Sequence, residues 1–277
     1  MELNWLESFI FGLISGFTEL LPVSAPAHEA LSIYFWGVAD SPLLRFVVHT
    51  AIWEALYLSM QETISKLIKE QKLSKISPRR RPRQPDPVLI LEMKLLRSAI
   101  PFILMGFLAS FFFKDSNLDL SWIAAMLLLN GIILYIPARL PSGNKDSRSM
   151  TPMDGVLLGL ASAASMLPGL SRLGVVISTA QVRGADKEHA LRWALCLDLV
   201  AMIFVIIMDV YGIVTYGFGN FSVSTIISCV LAAAGAFCAA MAGVGIMRFL
   251  AYRTGFSGFA YYSWGAALFV FLMYLTI

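Results

Sequence analysis

Five stretches of the chain, 98–113, 120–138, 155–171, 210–247 and 254–277, contain no charged side chain. About 20 apolar residues in a helix cross the roughly 30 Å of a bilayer's hydrocarbon. Inside lipid every backbone polar group must be satisfied internally, so such runs can span only as helices or closed barrels. The run at 210–247 is too long for one crossing, and Gly212, Gly217, Gly219 and Asn220 supply turn chemistry to divide it. Only 14% of the residues are charged, where a soluble domain carries about 25%. The expected fold is therefore an all-α polytopic membrane protein, one membrane domain over 1–277.

Lys and Arg in short loops mark the cytoplasmic side. Ten of the 21 lie between Lys66 and Arg97, and the rest cluster mainly at 139–148, 183–192 and 248–253. With all four clusters inside, spans are expected over about 42–65, 90–113, 120–138, 190–211, 222–247 and 256–277, six in all. The segment "KDSNLDL" at 114–120 is then an outer loop, and both termini lie outside. Two apolar segments remain, 4–38 and 152–183, and each must return to the side it entered from. Each is interrupted by Leu-Pro, at Leu21-Pro22 and Leu167-Pro168. Proline lacks an amide donor and clashes with the preceding turn, so each segment is expected to be two half-length helices around a tip. Both are re-entrant hairpins in this reading.

The halves share wording. "GLISGFTELLPVS" at 12–24 and "GLASAASMLPGLS" at 159–171 follow one pattern. Each half reads as a hairpin and three spans, in opposite orientation, which is an inverted-topology repeat over about 1–138 and 150–277. The basic loop 66–87 is explained by topology and anionic headgroups, with no nucleic acid required. The opening "MELNWLESF" lacks a basic n-region and is not expected to be a cleaved signal. Cys196, Cys229 and Cys238 fall in spans without metal-ligand or CxxC spacing and read as small packing residues.

Irregular backbone at membrane depth is tolerated only when buried in protein or lining a wet cavity, so the two tips are expected to meet. Each return helix begins with a serine suited to N-capping, Ser24 and Ser171. Two helix starts facing one cavity favour an anion such as phosphate. Arg172 adds a permanent cation with a donor fork, or else forms an ion pair with Glu19 or Asp198. His28, one turn past Ser24, is a candidate nucleophile or general acid and base. Glu19 can orient His28, hold a divalent cation, or act as base. Glu29, His49, Glu54 and Asp198 are further polar groups at membrane depth. Thr151-Pro152-Met153-Asp154 reads as a helix start, with Asp154 at N3.

"GFTELLPVSAPAH" and "LPGLSRLGVVIS" resemble the two signatures of the undecaprenyl-pyrophosphate phosphatase family, an ExxxE helix with a PVSSSGH-type turn and a PGTSRSG-type motif. "FVVHTAIWEAL" at 46–56 is weakly similar to the segment that follows, with His49 in register, and 183–200 resembles the continuation of the second motif. The resemblance places Glu19 and His28 in catalysis, and Ser24, Gly169, Ser171, Arg172 and Gly174 at the pyrophosphate. It implies hydrolysis of a polyprenyl diphosphate to the monophosphate in carrier-lipid recycling at the plasma membrane, with a divalent cation, Mg or Ca, and Glu19 as its ligand. The chain departs from the pattern at Ser15, Ala25, Pro26, Ala27 and Leu173. Ser15 stands for the first glutamate and Ala25 for a hydroxyl proposed as nucleophile. The retained anion-binding elements and lost hydroxyl and carboxylate keep a second expectation open, a transporter or flippase of polyprenyl phosphate or another anionic lipid.

Overall fold

The computed structural model describes residues 4–36, 41–113, 119–141, 143–218 and 222–276. Among them are ten α-helices and no β-strand: α1 Trp5–Leu20, α2 Ala25–Trp36, α3 Pro42–Lys75, α4 Pro87–Phe113, α5 Leu120–Tyr135, α6 Pro152–Ala164, α7 Arg172–Val182, α8 Lys187–Tyr216, α9 Val223–Arg253 and α10 Gly258–Thr276. The Leu-Pro signals fall where α1 gives way to α2 and α6 to α7. The four pieces have 16, 12, 13 and 11 residues, all short of the roughly 20 that a crossing needs.

Local chemistry sets the helix starts. Asn4, Ser41, Asp119, Thr151, Ser171, Asp186 and Ser222 each accept a backbone N–H of the helix they precede. Thr151 and Asp154 form the reciprocal capping box, and Asp154 Oδ1 also accepts from Arg183 Nε at 2.6 Å. Two expectations shift. Helix α8 runs through Gly212 to Tyr216, so Gly212 is helical and only Gly217, at φ 82°, serves as a turn residue among those described. Lys114, Gly219 and Asn220 lie outside the described residues. Helix α3 continues to Lys75, so the first ten residues of the basic segment 66–87 are helical, with Leu67 and Leu73 buried on one side. Beyond it Arg83 clamps Glu70, whose second oxygen accepts from the Asp86 amide at 2.9 Å. That guanidinium, with the amide, holds the Glu70 carboxyl below the usual carboxylate range.

Among the described residues four helices are long and apolar enough to cross a membrane: Leu120–Arg139 (α5 with its 3-10 extension), α8, α9 and α10. Helices α3 and α4 have the length, 34 and 27 residues, although Arg45, His49 and Glu54 interrupt the apolar run of α3. Large apolar side chains such as Leu108, Leu128, Val230, Leu268 and Leu275 point outward, while Glu19, His49, Asn130, Asp198 and Asp209 are buried. That inversion of the soluble pattern is what a lipid solvent selects.

Helix α1 packs on α9, and α6 on α4. Both contacts are backbone-close. A Cβ on Gly16 would lie 2.9 Å from Ala239 Cβ and press on the Ala236 carbonyl, and Gly12 faces Ala232 in the same way. Small residues at such seams let helices approach where no hydrophobic force drives them together. Gly16→Leu should therefore cost about 1–3 kcal/mol of overpacking, read as a lower thermal-unfolding midpoint in detergent. An unchanged midpoint would show that the seam is looser than described.

Candidate active site

The break after Glu19 and Leu20 leaves Leu21, Pro22 and Val23 as a turn, closed by Val23 N–H donating to the Leu21 carbonyl at 2.8 Å. Ser24 follows in the left-handed region, φ 70°, the one non-glycine residue there among those described. Its hydroxyl accepts from Ala27 N–H at 3.4 Å, so it does cap α2. Its carbonyl accepts from His28 N–H at 3.3 Å and His28 Nδ1 at 2.8 Å. A serine held at this φ is strained, and the surrounding contacts fix it there. The second tip turns at Pro168 and Gly169, φ 108°, with Gly169 against Met126 of α5. Ser171 then caps α7 by accepting Gly174 N–H at 3.1 Å.

The two tips touch. Asn130 on α5 donates to the Pro22 carbonyl at 3.2 Å and to Ser263 Oγ on α10 at 3.0 Å, while its own oxygen accepts from Ser171 N–H at 3.0 Å. Ser171 Oγ reaches the Leu21 carbonyl at 3.5 Å. A Cβ on Gly174 would sit 2.9 Å from Pro22 Cβ, so glycine there is what lets the tips approach. Nothing in the sequence near Pro22 or Ser171 announces Asn130; its only signal is being the one amide in a charge-free span. Asn130→Leu should leave the Ser171 amide and Pro22 carbonyl buried and unpaired, about 1–3 kcal/mol for each. The check is a thermal midpoint lowered more than by Asn130→Asp, which still accepts from Ser171; equal midpoints would contradict the bridge.

Across this contact Arg172 reaches two carboxylates. Its Nη2 donates to Glu19 and its Nε to Asp198 Oδ1 at 3.2 Å, with Met202 Sδ 2.9 Å from Nη2. All three charged side chains are less than a tenth exposed. Both pairings expected for Arg172 are thus present together, joining the first hairpin to the second and to α8. Two carboxylates against one guanidinium leave the cluster one negative charge in excess if both acids are ionised. Asp198 Oδ2 is buried and has no hydrogen-bond partner among the described residues.

His28 is placed elsewhere. Its Nε2 lies 2.6 Å from the Tyr262 hydroxyl of α10, with the rings stacked at 5.8 Å and 15°. No hydrogen bond joins it to Glu19 or Arg172 among the described residues. It lines a cavity of about 390 Å³ with Leu13, Ile14, Phe17, Leu31 and Phe35. A larger cavity of about 730 Å³, walled by Leu21, Val23, Leu250 and Phe259, shares Phe17, Thr18 and Tyr262 with it.

A third buried group lies behind α2. His49 Nδ1 is 2.7 Å from Asp209 Oδ2 and its Nε2 is 3.3 Å from Glu29 Oε1. Asp209 went unread in the sequence; it stands eleven residues after Asp198 on α8, three turns on along one face. Glu54 is exposed on α3 and joins none of these clusters. Among the described residues no group of three His, Cys, Asp or Glu side chains could by itself hold a metal ion. Cys196 and Cys229 are buried as packing residues, and Cys238 is exposed.

The family model described as bacitracin resistance protein BacA matches residues 8–269. The chain belongs to the BacA family. Its relatives include undecaprenyl-diphosphatase 3 of Bacillus cereus, 27% identical over 275 residues that cover 99% of both chains. The undecaprenyl-diphosphatase of Micrococcus luteus is 30% identical over 240 residues, 83% of this chain and 85% of the relative. That of Carboxydothermus hydrogenoformans is 27% identical over 213 residues, 76% of each chain. The BacA match spans both hairpins and so contains the whole Glu19–Arg172–Asp198 contact.

Proposed function

We propose that this protein hydrolyses undecaprenyl diphosphate to the monophosphate and inorganic phosphate, recycling the carrier lipid in the plasma membrane. The observation that carries the reading is the meeting of two broken-helix tips around Arg172. The family and the activity named for its relatives point the same way. In this reading Glu19, Ser24, His28, Gly169, Ser171, Arg172 and Gly174 form the working site, with Glu29, His49 and Asp198 supporting it.

The architecture we assign is six crossings, α3, α4, α5, α8, α9 and α10, with the α1–α2 and α6–α7 hairpins re-entrant and both termini outside. Packing supports a repeat. The contacts α1–α9, α3–α9, α3–α4 and α1–α3 have counterparts in α6–α4, α8–α4, α8–α9 and α6–α8, while α3–α8 and α5–α10 each pair an element with its own counterpart. The opposite sidedness comes from the basic clusters.

The headgroup binds where the tips meet. Arg172 exchanges carboxylate oxygens for the terminal phosphate, using the same planar fork. The Ser24 carbonyl fixes the hydrogen of His28 on Nδ1, so Nε2 is the nitrogen that acts, on phosphorus or on the attacking water. Water or Nε2 bonds to the terminal phosphorus as its bond to the bridging oxygen breaks and the lipid monophosphate leaves; a phosphoryl group taken by Nε2 then passes to water, so inorganic phosphate is released either way. The apolar walls of the two adjoining cavities suit the isoprenoid chain. Glu19 and the unpartnered oxygen of Asp198 would hold a Mg or Ca ion. Such a cation supplies neutralisation of charge on the diphosphate, which the excess negative charge of the cluster otherwise repels.

Phosphate release by the purified protein from undecaprenyl diphosphate tests the reading, with Arg172→Ala as control. A chelator should lower the rate by about a hundredfold or more, restored by Mg or Ca. Wild-type release no faster than the control defeats the reading; full activity in chelator removes the cation from it.

A further inference from the structure

We infer that Tyr262 is a positioning residue for His28: its hydroxyl covers Nε2 in the resting protein, and the headgroup must displace it to reach the imidazole. The inference rests on the reading of His28 as the acting base or nucleophile. The geometry is closed on both sides of the ring. Ser24's carbonyl can only accept, so Nδ1 carries a hydrogen and the lone pair of the neutral imidazole is on Nε2. The phenol lies 2.6 Å from that nitrogen and donates to it. The stacked phenol ring also holds the imidazole plane, 15° from its own.

Three features make this more than packing. First, the Tyr262 hydroxyl is spent on the single His28 nitrogen that the strained Ser24 leaves available. Second, Tyr262 is half-exposed and forms, with Phe17 and Thr18, the wall common to the 390 and 730 Å³ cavities. Turning its side chain away uncovers Nε2 at the wall that the two cavities share. Third, the next residue on α10, Ser263, is held by Asn130, which also holds the Ser171 amide. One turn of α10 thus sets His28 relative to the tip that bears Arg172.

Diethyl pyrocarbonate acylates the free lone pair of neutral histidine and reads the cover directly, without turnover. His28 modification is followed by peptide mass spectrometry in detergent, with His189 as internal reference. Tyr262→Phe keeps the ring and removes only the hydroxyl. It should speed modification of His28 about fivefold, the ratio that one hydrogen bond of ordinary net strength maintains, while His189 is unchanged. In the phosphate assay the same variant should lower KM by a similar factor with kcat within about twofold, because the headgroup no longer has to displace the hydroxyl while the stacked ring still holds the imidazole. Tyr262→Leu, which also removes the ring, should equal Phe in modification rate and lose about tenfold in kcat, the mark of a lost orientation. Unchanged His28 modification in both variants overturns the inference. Failure of the functional reading shows separately, as full activity in His28→Gln, and leaves the modification result to decide the cover.

Discussion

Arg172→Ala is expected to lower phosphate release by about a thousandfold, the scale of removing a main electrostatic stabiliser of a transferring group. The same change acts on the fold. In the resting protein the guanidinium is the shared partner of Glu19 and Asp198, both nearly inaccessible. Its removal leaves two carboxylates buried without compensation, and breaking such a pair costs about 3–5 kcal/mol. Low yield of Arg172→Ala is thus part of the expectation and confuses its activity loss. Arg172→Lys separates the effects. It keeps one positive charge between the acids, so its thermal midpoint should stay closer to wild type than that of Arg172→Ala. It loses the fork, which can no longer hold phosphate through two parallel bonds while facing Asp198, and activity should fall about a hundredfold. A lysine variant of near wild-type rate would show that Arg172 is a structural tie and that the headgroup binds elsewhere.

His28→Gln should cost about a hundred- to ten-thousandfold in kcat, the range of a lost acid–base or nucleophilic group. Here stability and activity separate cleanly. His28 is half-buried at a cavity wall, and among the described residues its side-chain hydrogen bonds run only to the Ser24 carbonyl and the Tyr262 hydroxyl. Glutamine can still donate to the carbonyl, so the thermal midpoint should hold. A retained rate would move the chemistry to the Glu19 side of the first hairpin, where Ser15 and Ala25 leave few alternatives.

What the sequence disclosed was local. A proline ends a helix wherever it stands, and Ser171 or Thr151 caps a helix with neighbours three residues away, so the two broken segments and their starts could be read directly. Arg172 announced itself because a lone guanidinium at membrane depth demands a negative partner. The chain could not disclose which partners meet. Asn130 joins Pro22 and Ser171 across 108 and 41 residues, and Tyr262 covers His28 across 234. Each of these looks ordinary along the sequence, one amide and one of nine tyrosines. Asp209 is likewise explained only by His49, 160 residues earlier. The Ser24 conformation was also hidden: a serine before a helix signals a cap, and nothing in "PVSAPAH" shows that its carbonyl will be turned onto His28. Gly212 misled in the opposite sense, since a glycine in an apolar run suits a turn and a close helix seam equally well; it lies beside Pro42 inside α8.

The most direct measurement is made in proteoliposomes loaded with undecaprenyl diphosphate, following free phosphate and the side on which the headgroup stands. Converging tips that perform hydrolysis predict inorganic phosphate appearing one-for-one with lipid monophosphate, and its near disappearance in Arg172→Lys. Diphosphate headgroups carried across the bilayer intact, with no phosphate released, would contradict the account and make the same contact a carrier's binding site.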